Sequence, residues 1–138
     1  MRTVYIELAG KEYPMSFSLG ASKKLTSKYG SMEGLKKAIG TNGDDTKKLD
    51  MITELLELLI AQGCARKNAF EKDIPAPENA PVVDGKWVPI TKEEIDLVVE
   101  LPDMDKIKEK LEECMSGGTK KTVTTKSIEK NAETAPED

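Results

Sequence analysis

Apolar side chains recur with a helical period through one long central segment of the chain, residues 49–70. A helix that is apolar over much of its circumference must be covered on more than one side. We therefore expect the rest of the chain to cover part of it and a second protein to cover the remainder, which favours a binding or assembly protein over an enzyme. The stripe runs through Leu49, Ile52, Leu56, Leu59, Ile60 and Gly63, and it is widened by Leu55, Leu58 and Ala61.

Residues 2–17 alternate between apolar and polar positions, which predicts an N-terminal β-hairpin. The first strand covers residues 2–8 and the second covers residues 12–17, with a turn at Ala9-Gly10-Lys11 between them. Pro14 cannot donate a backbone hydrogen bond, so its nitrogen should face away from the partner strand. Because an isolated two-stranded hairpin is marginally stable, it should pack on helices.

Two short helices are predicted between the hairpin and the central helix. The first covers residues 18–29 and stops at Gly30, and the second lies within residues 31–39. Asp44 and Asp45 come just before the central helix, where the helix dipole favours negative charge.

Residues 71–90 contain four prolines, which excludes a helix over most of this segment. The pair Asp84-Gly85 is typical of a two-residue hairpin turn, so we predict a small second hairpin or an exposed Pro-rich arm. The segment carries Trp87, the only tryptophan. Two interpretations stay open for its side chain: a lid over the core, or an anchor for a partner.

Two amphipathic helices are predicted after this arm. Thr91 and Glu94 have the spacing of a capping box, so a helix should begin at Lys92 and end before Pro102. The expected buried residues are Ile95, Val98, Val99 and Leu101 in this helix, and Met104, Ile107, Leu111, Cys114 and Met115 in a last helix over residues 103–115.

Together these elements predict an α+β fold, in which an N-terminal β-hairpin packs on a mainly α-helical domain of four to five helices. A chain of 138 residues fits one folded domain, residues 1–115, with residues 71–90 as the arm within it. Residues 116–138 have too few apolar side chains to offset the entropy cost of ordering, and we predict a disordered C-terminal tail.

The net charge of −4 argues against a general nucleic-acid binder. The most apolar run, residues 55–61, is far shorter than the roughly 20 residues that span a bilayer, and the chain opens without a signal-peptide pattern. We therefore expect a cytosolic protein that binds neither nucleic acid nor membrane. Residues 92–113 hold nine acidic and four basic residues, a local net charge of −5, which is either a solvated face or an electrostatic guide for a basic partner.

The residue types of common catalytic and metal sites are missing from the sequence. The chain has no histidine, the commonest general base near neutral pH and the commonest metal ligand. Cys64 and Cys114 form no zinc pattern and fit small apolar fillers in a reducing compartment. The glycines match no phosphate-binding loop. We predict no catalytic, cofactor or metal site, and therefore no enzyme.

The order of elements resembles that of a known family. A hairpin of the form Val4-Tyr5-Ile6-Glu7-Leu8-Ala9-Gly10-Lys11-Glu12-Tyr13 leads into a helix through Ser22-Lys23-Lys24-Leu25, and a Leu-rich helix follows around Leu55-Leu56-Glu57-Leu58-Leu59-Ile60-Ala61. An acidic helix that begins at Thr91 and a closing amphipathic helix complete the pattern. Over residues 3–115 the chain resembles the tail assembly chaperones of long-tailed (siphovirus-type) phages and prophages of Gram-positive bacteria. Its Pro-rich segment is longer than this family leads one to expect.

The resemblance implies a non-enzymatic role in assembly. Such proteins bind the tape measure protein, keep its apolar helices soluble and help recruit tail tube protein subunits in the cytoplasm of the bacterial host. They are not expected in the mature virion. The resemblance also implies a longer, frameshifted form of the same chain as a partner, and self-association into a homo-oligomer is a further expectation.

On this basis the apolar helix faces are predicted to bind amphipathic helices of the tape measure protein, by helix-in-groove recognition. For any one of these residues, a place in the intramolecular core is an equally open interpretation. A small cytosolic adaptor or regulator of another protein is the competing function, and an enzyme that uses carboxylates such as Glu93 and Glu94 is a third. The predicted partner-binding residues are Leu55, Leu58, Leu59, Trp87, Ile107 and Leu111.

Overall fold

Two antiparallel hairpins and five α-helices follow one another in the computed structural model, which describes residues 3–40 and 45–117. In chain order they are β1 (Val4–Leu8), β2 (Lys11–Met15), α1 (Leu19–Tyr29), α2 (Met32–Gly40), α3 (Thr46–Phe70), β3 (Val82–Val83), β4 (Lys86–Trp87), α4 (Lys92–Val98) and α5 (Met104–Gly117), with a short 3-10 helix at Leu101–Asp103. The predicted α+β fold is confirmed. No helix within the described ranges is both long and apolar enough to cross a bilayer. The tail predicted at 116–138 lies outside the described residues from 118 onward, and the two residues before that still belong to α5.

A two-residue turn joins β1 to β2. Ala9 and Gly10 adopt positive φ angles of 52° and 80°, the conformation whose twist matches that of the two strands. The register pairs Tyr5 with Pro14. Two residues before this proline, the N–H of Glu12 points away from β1 and donates to the carbonyl of Asn79 at 3.0 Å. Pro14 therefore occupies a position where β1 requires no donor, as predicted.

The helix α3 lies directly against the backbone of β2 because residue 63 is glycine. A Cβ atom at Gly63 would lie only 2.2 Å from the carbonyl oxygen of Pro14. One helical turn earlier, the carbonyl of Leu59 accepts a hydrogen bond from the N–H of Ser16 at 3.1 Å. This close approach buries Met15 completely and fixes the hairpin on the central helix.

Side-chain caps start three helices; the cap of α4 is the predicted one, and α3 begins at Thr46, three residues before the predicted start at residue 49. Ser18 accepts a hydrogen bond from the first turn of α1, Asp45 does the same for α3, and Thr91 opens α4 with the complete capping box. Gly30 ends α1 with a φ of 86°, as a C-terminal glycine does. Asp44 lies outside the described residues.

The core is built around α3, which contacts β2, β4 and the helices α1, α2 and α4. The predicted stripe of α5 is confirmed, since Ile107 and Leu111 lie in the same core together with the rest of that stripe. The buried residues of α3 are Lys48, Ile52, Thr53, Leu55, Leu56, Leu59, Ile60, Gly63 and Cys64.

The predicted buried side of α4 is wrong in part. Ile95 is buried and Val99 is partly buried against the core, but Val98 and Leu101 are exposed by 38% and 66%. The reason is the length of α4, because the chain leaves the helix at Val99, whose backbone is extended. Seven residues make two turns, and only one apolar side chain of this helix reaches the core.

The Pro-rich segment forms the predicted small hairpin. Val82 pairs with Trp87 and Val83 pairs with Lys86. Asp84-Gly85 makes the turn with positive φ at both residues, 52° and 79°. This second hairpin sits beside the last turns of α3.

Candidate functional site

The structure places five of the six predicted partner-binding residues inside the subunit. Because α3 is covered by β2, β4 and three helices, the apolar area that the sequence suggested as surplus is covered by the chain itself. The expectation that these five side chains form an exposed partner face is therefore corrected. Leu58 alone is half-buried, and it lines a shallow depression beside Tyr29. The five buried residues are Leu55, Leu59, Trp87, Ile107 and Leu111.

The exposed apolar side chains lie elsewhere, and several of them surround the C-terminal end of α3. Phe70, the last residue of this helix, is 80% exposed. Ile74, in the arm that follows, is 59% exposed, and Val83 at the tip of the second hairpin is 61% exposed. Single exposed apolar side chains are common, but several of them near one helix end are typical of an interaction site. This end of α3 is therefore the candidate site.

Two grooves flank the end of α3. The first, which we call the arm groove, has a volume of about 690 Å³ and lies between α3, the arm and the second hairpin. Ile74, Val82 and Trp87 give its wall an apolar part, and Lys67 and Glu71 give it a polar part. The lining is therefore mixed, because Asn68, Lys72, Asp84 and Lys86 add further polar and charged side chains to it.

The second groove, which we call the Phe70 groove, lies on another side of the same helix. It measures about 280 Å³ and is lined by Gln62, Arg66 and Phe70 together with Ser16 and Ser18 at the end of the first hairpin. The last two turns of α3 therefore stand as a ridge between two concave surfaces.

Asn68 fixes the position of the second hairpin against α3. Its side-chain Nδ2 donates to the carbonyl of Trp87 at 3.0 Å, and its Oδ1 accepts from the N–H of Trp87 at 2.9 Å. The amide thus pairs with the backbone as a neighbouring strand would. Trp87 is 8% exposed, which favours the lid interpretation of its side chain over the anchor interpretation. The role of Asn68 has no signal in the sequence, because it depends on a hairpin 19 residues away.

Lys67 joins the two hairpins at the base of the arm groove. Its ammonium lies 5.3 Å from the ring centroid of Tyr5 and 5.4 Å from that of Trp87, and it donates to Glu71 Oε1 at 2.9 Å. Burial lowers the pKa of Lys67, but hydrogen bonds to Tyr5 and Glu71 and their charges raise it more, so the pKa lies above its ordinary value. The groove wall is therefore held by a permanent cation between two rings.

The carboxylate of Glu71 forms ion pairs with two basic side chains, Lys67 and Arg66. Besides its bond to Lys67, its Oε2 lies 3.8 Å from Arg66 Nε. Because Arg66 lines the Phe70 groove and Lys67 lines the arm groove, this carboxylate ties the two sides of the ridge together. The end of α3 is thus a pre-ordered structure, which lowers the cost of binding a partner.

The thiol of Cys64 has no features of a nucleophile. Burial raises its pKa to about 11, which keeps it protonated at neutral pH. Within the described part of the chain, no group of three or more histidine, cysteine, aspartate or glutamate residues is placed to hold a metal ion.

Comparison of the chain with models of protein families, with curated proteins and with solved structures finds no match in any of the three. The family resemblance therefore remains a prediction that depends on the order of elements and on the apolar positions.

Proposed function

We propose that this protein is a non-enzymatic phage tail assembly chaperone that binds the tape measure protein, keeps it soluble and helps recruit tail tube subunits. It acts in the cytoplasm of the bacterial host and is absent from the mature virion. The observation that carries the proposal is the exposure of Phe70 and Ile74 on the two sides of a pre-ordered ridge.

The apolar area at this ridge suits an amphipathic helix of the partner. Burying a phenylalanine or isoleucine side chain contributes roughly 1.5–3 kcal/mol before the costs of ordering and association. A partner helix that presents apolar side chains three and four residues apart can lay them against the apolar part of the arm groove, Ile74, Val82 and Trp87. Phe70, Ile74 and Val83 replace the buried leucines of α3 as the contact residues in this proposal.

The polar groups of the arm groove favour one orientation of such a helix. Lys72 and Lys86 line the groove together with Asp84, while Lys67 and Glu71 neutralise each other. The remaining charge is one net positive charge. An acidic residue at the edge of the partner's apolar stripe would therefore be attracted to this groove.

Co-expression with an aggregation-prone fragment of a tape measure protein tests the proposal. The double variant Phe70→Asp/Ile74→Asp should fold, since both side chains are exposed, but the fragment should move from the soluble to the insoluble fraction. The matched control is Leu19→Asp/Val88→Asp, which places the same two charges on apolar side chains that are exposed but line neither groove, and it should keep the fragment soluble. A soluble fragment with the double variant, whose fold is verified by circular dichroism, contradicts the proposal.

A further inference from the structure

A second exposed apolar surface lies on α4 and the 3-10 helix that follows it. Leu97 is 83% exposed, the largest exposure among the large apolar side chains of the described residues. Val98 and Leu101, which follow it closely in the sequence, are exposed as well. These three residues contribute little to the core, which is reached from this segment by Ile95. Their apolar area leaves water only when something docks on them.

A groove continues this surface toward the first hairpin. It has a volume of about 230 Å³, and Val98 lines it together with the turn residues Ala9 and Gly10 and with Ile107 of α5. Of the three exposed apolar residues, Val98 borders this concavity.

The charge around these leucines is mainly negative. Residues 93–105 contain six acidic residues and no basic residue, and Lys106, which follows them, lines the groove. Two of the carboxylates serve the local fold: Glu94 completes the capping box, and Asp103 accepts a hydrogen bond from the N–H of Glu100 at 2.9 Å. The other four, Glu93, Asp96, Glu100 and Asp105, are exposed.

We infer that this surface, made of Leu97, Val98, Leu101 and the exposed carboxylates around them, docks a basic amphipathic helix of a partner protein. The leucines provide the apolar contact, and the carboxylates attract lysine or arginine residues that flank the partner's apolar stripe. A second copy of this chain fits poorly, because pairing the surface with itself would bring like charges together. The inference goes beyond the proposed function, because the surface shares no residue with the ridge at the end of α3.

The probe for the test is a fluorescein-labelled 14-residue helical peptide of leucine and lysine, with leucines spaced three and four residues apart. Its binding to the full chain is measured by fluorescence anisotropy at 50 and 300 mM NaCl. The counterpart peptide, with every lysine replaced by glutamate, should show no binding. Because exposed charges are screened, binding of the lysine peptide should weaken at the higher salt concentration.

Two sets of variants locate the binding site. Leu97→Ser/Leu101→Ser should weaken binding of the lysine peptide at least tenfold, and Asp96→Asn/Glu100→Gln should weaken it about threefold at 50 mM NaCl and less at 300 mM. The matched control Phe70→Ser/Ile74→Ser should bind as the unaltered chain does. Loss of tape measure solubility in that control, with peptide binding unchanged, would separate the two surfaces.

Three outcomes would overturn the inference. The first is equal binding by the unaltered chain and by Leu97→Ser/Leu101→Ser, with the fold of both verified. The second is equal binding of the glutamate peptide. The third is displacement of the lysine peptide by a synthetic peptide of residues 118–138 at micromolar concentration, because the chain's own C-terminal segment would then be the occupant.

Discussion

The middle of α3 and the segment from α4 to the 3-10 helix differ from their sequence predictions in opposite directions: the first is more buried than predicted, and the second is more exposed. The sequence predicts a surplus of exposed apolar area on α3, yet Leu55, Leu56 and Leu59 are almost completely buried. The sequence predicts that Val98 and Leu101 are buried, yet both are exposed. A periodic stripe indicates that a helix has apolar area, but the neighbouring elements decide whether that area is covered.

Length explains much of the difference. With 25 residues, α3 is long enough to contact β2, β4, α1, α2 and α4, so its middle is covered on several sides. With seven residues, α4 ends at Val98, so Ile95 is its one buried apolar side chain, and Val99 just beyond it is only partly buried.

The largest effect is expected where α3 meets β2. Gly63→Ala places a Cβ atom 2.2 Å from the carbonyl oxygen of Pro14, a backbone atom that cannot rotate away. We expect a loss of about 4 kcal/mol in the free energy of unfolding. The control is Gly20→Ala in α1, where the nearest atom is 3.5 Å away and the change should be within about 1 kcal/mol. Equal stability of the two variants in urea denaturation would show that the close approach is absent.

A pair of leucine variants compares the two regions directly. Leu59→Ala should lower the free energy of unfolding by about 3 kcal/mol, because it leaves a cavity at a fully buried position. Leu97→Ala removes the same atoms from an exposed position and should change it by less than about 0.5 kcal/mol. Similar losses in the free energy of unfolding for both variants would show that Leu59 and Leu97 do not differ in burial.

The second hairpin depends on one amide. Asn68→Ala leaves the backbone N–H and carbonyl of Trp87 without their partners, and we expect a loss of about 2 kcal/mol. The tryptophan emission should shift to longer wavelength as its side chain becomes more exposed. Asn68→Asp is the matched comparison, because it keeps an acceptor for the N–H and loses the donor to the carbonyl. Unchanged emission in Asn68→Ala would show that the amide does not hold the hairpin.

The smallest effect concerns pH. Burial raises the pKa of Cys64 to about 11 from a value near 9, so between these two values the thiol ionises in the unfolded chain while it stays protonated in the folded one. The contribution of Cys64 to the free energy of unfolding is therefore constant below pH 9 and is lost as the pH rises toward 11. We expect a loss of about 1 kcal/mol between pH 9 and pH 10 that is missing in Cys64→Ala. The same slope in both variants would show that the thiol is solvated.

Local rules predicted much of the fold. The turn predicted at Ala9-Gly10-Lys11 is observed at Ala9-Gly10, and Asp84-Gly85 makes the expected two-residue turn. Thr91 begins a helix with the reciprocal cap that its spacing to Glu94 indicates. These features depend on residues close in sequence, so the pattern contains the information needed to place them.

The candidate site could not be predicted in the same way. Asn68 pairs with Trp87, and Lys67 lies between Tyr5 and Trp87, so each contact requires the packed arrangement of both hairpins. Phe70 continues the apolar character of α3 in the sequence, and only the fold shows that the helix extends beyond its cover. Tertiary contacts decided these positions, and periodicity does not report them.

Thiol labelling of the folded, unbound chain tests the central claim most directly, which is that α3 hides its leucines and exposes apolar side chains only at its end. Labelling of Leu55→Cys and Phe70→Cys by N-ethylmaleimide is followed by mass spectrometry, with the native Cys64 as the reference for a buried thiol. The account predicts that Phe70→Cys reacts as a free peptide thiol does, whereas Leu55→Cys reacts about 1,000-fold more slowly, through unfolding alone. Equal labelling rates at the two positions under folding conditions would contradict it.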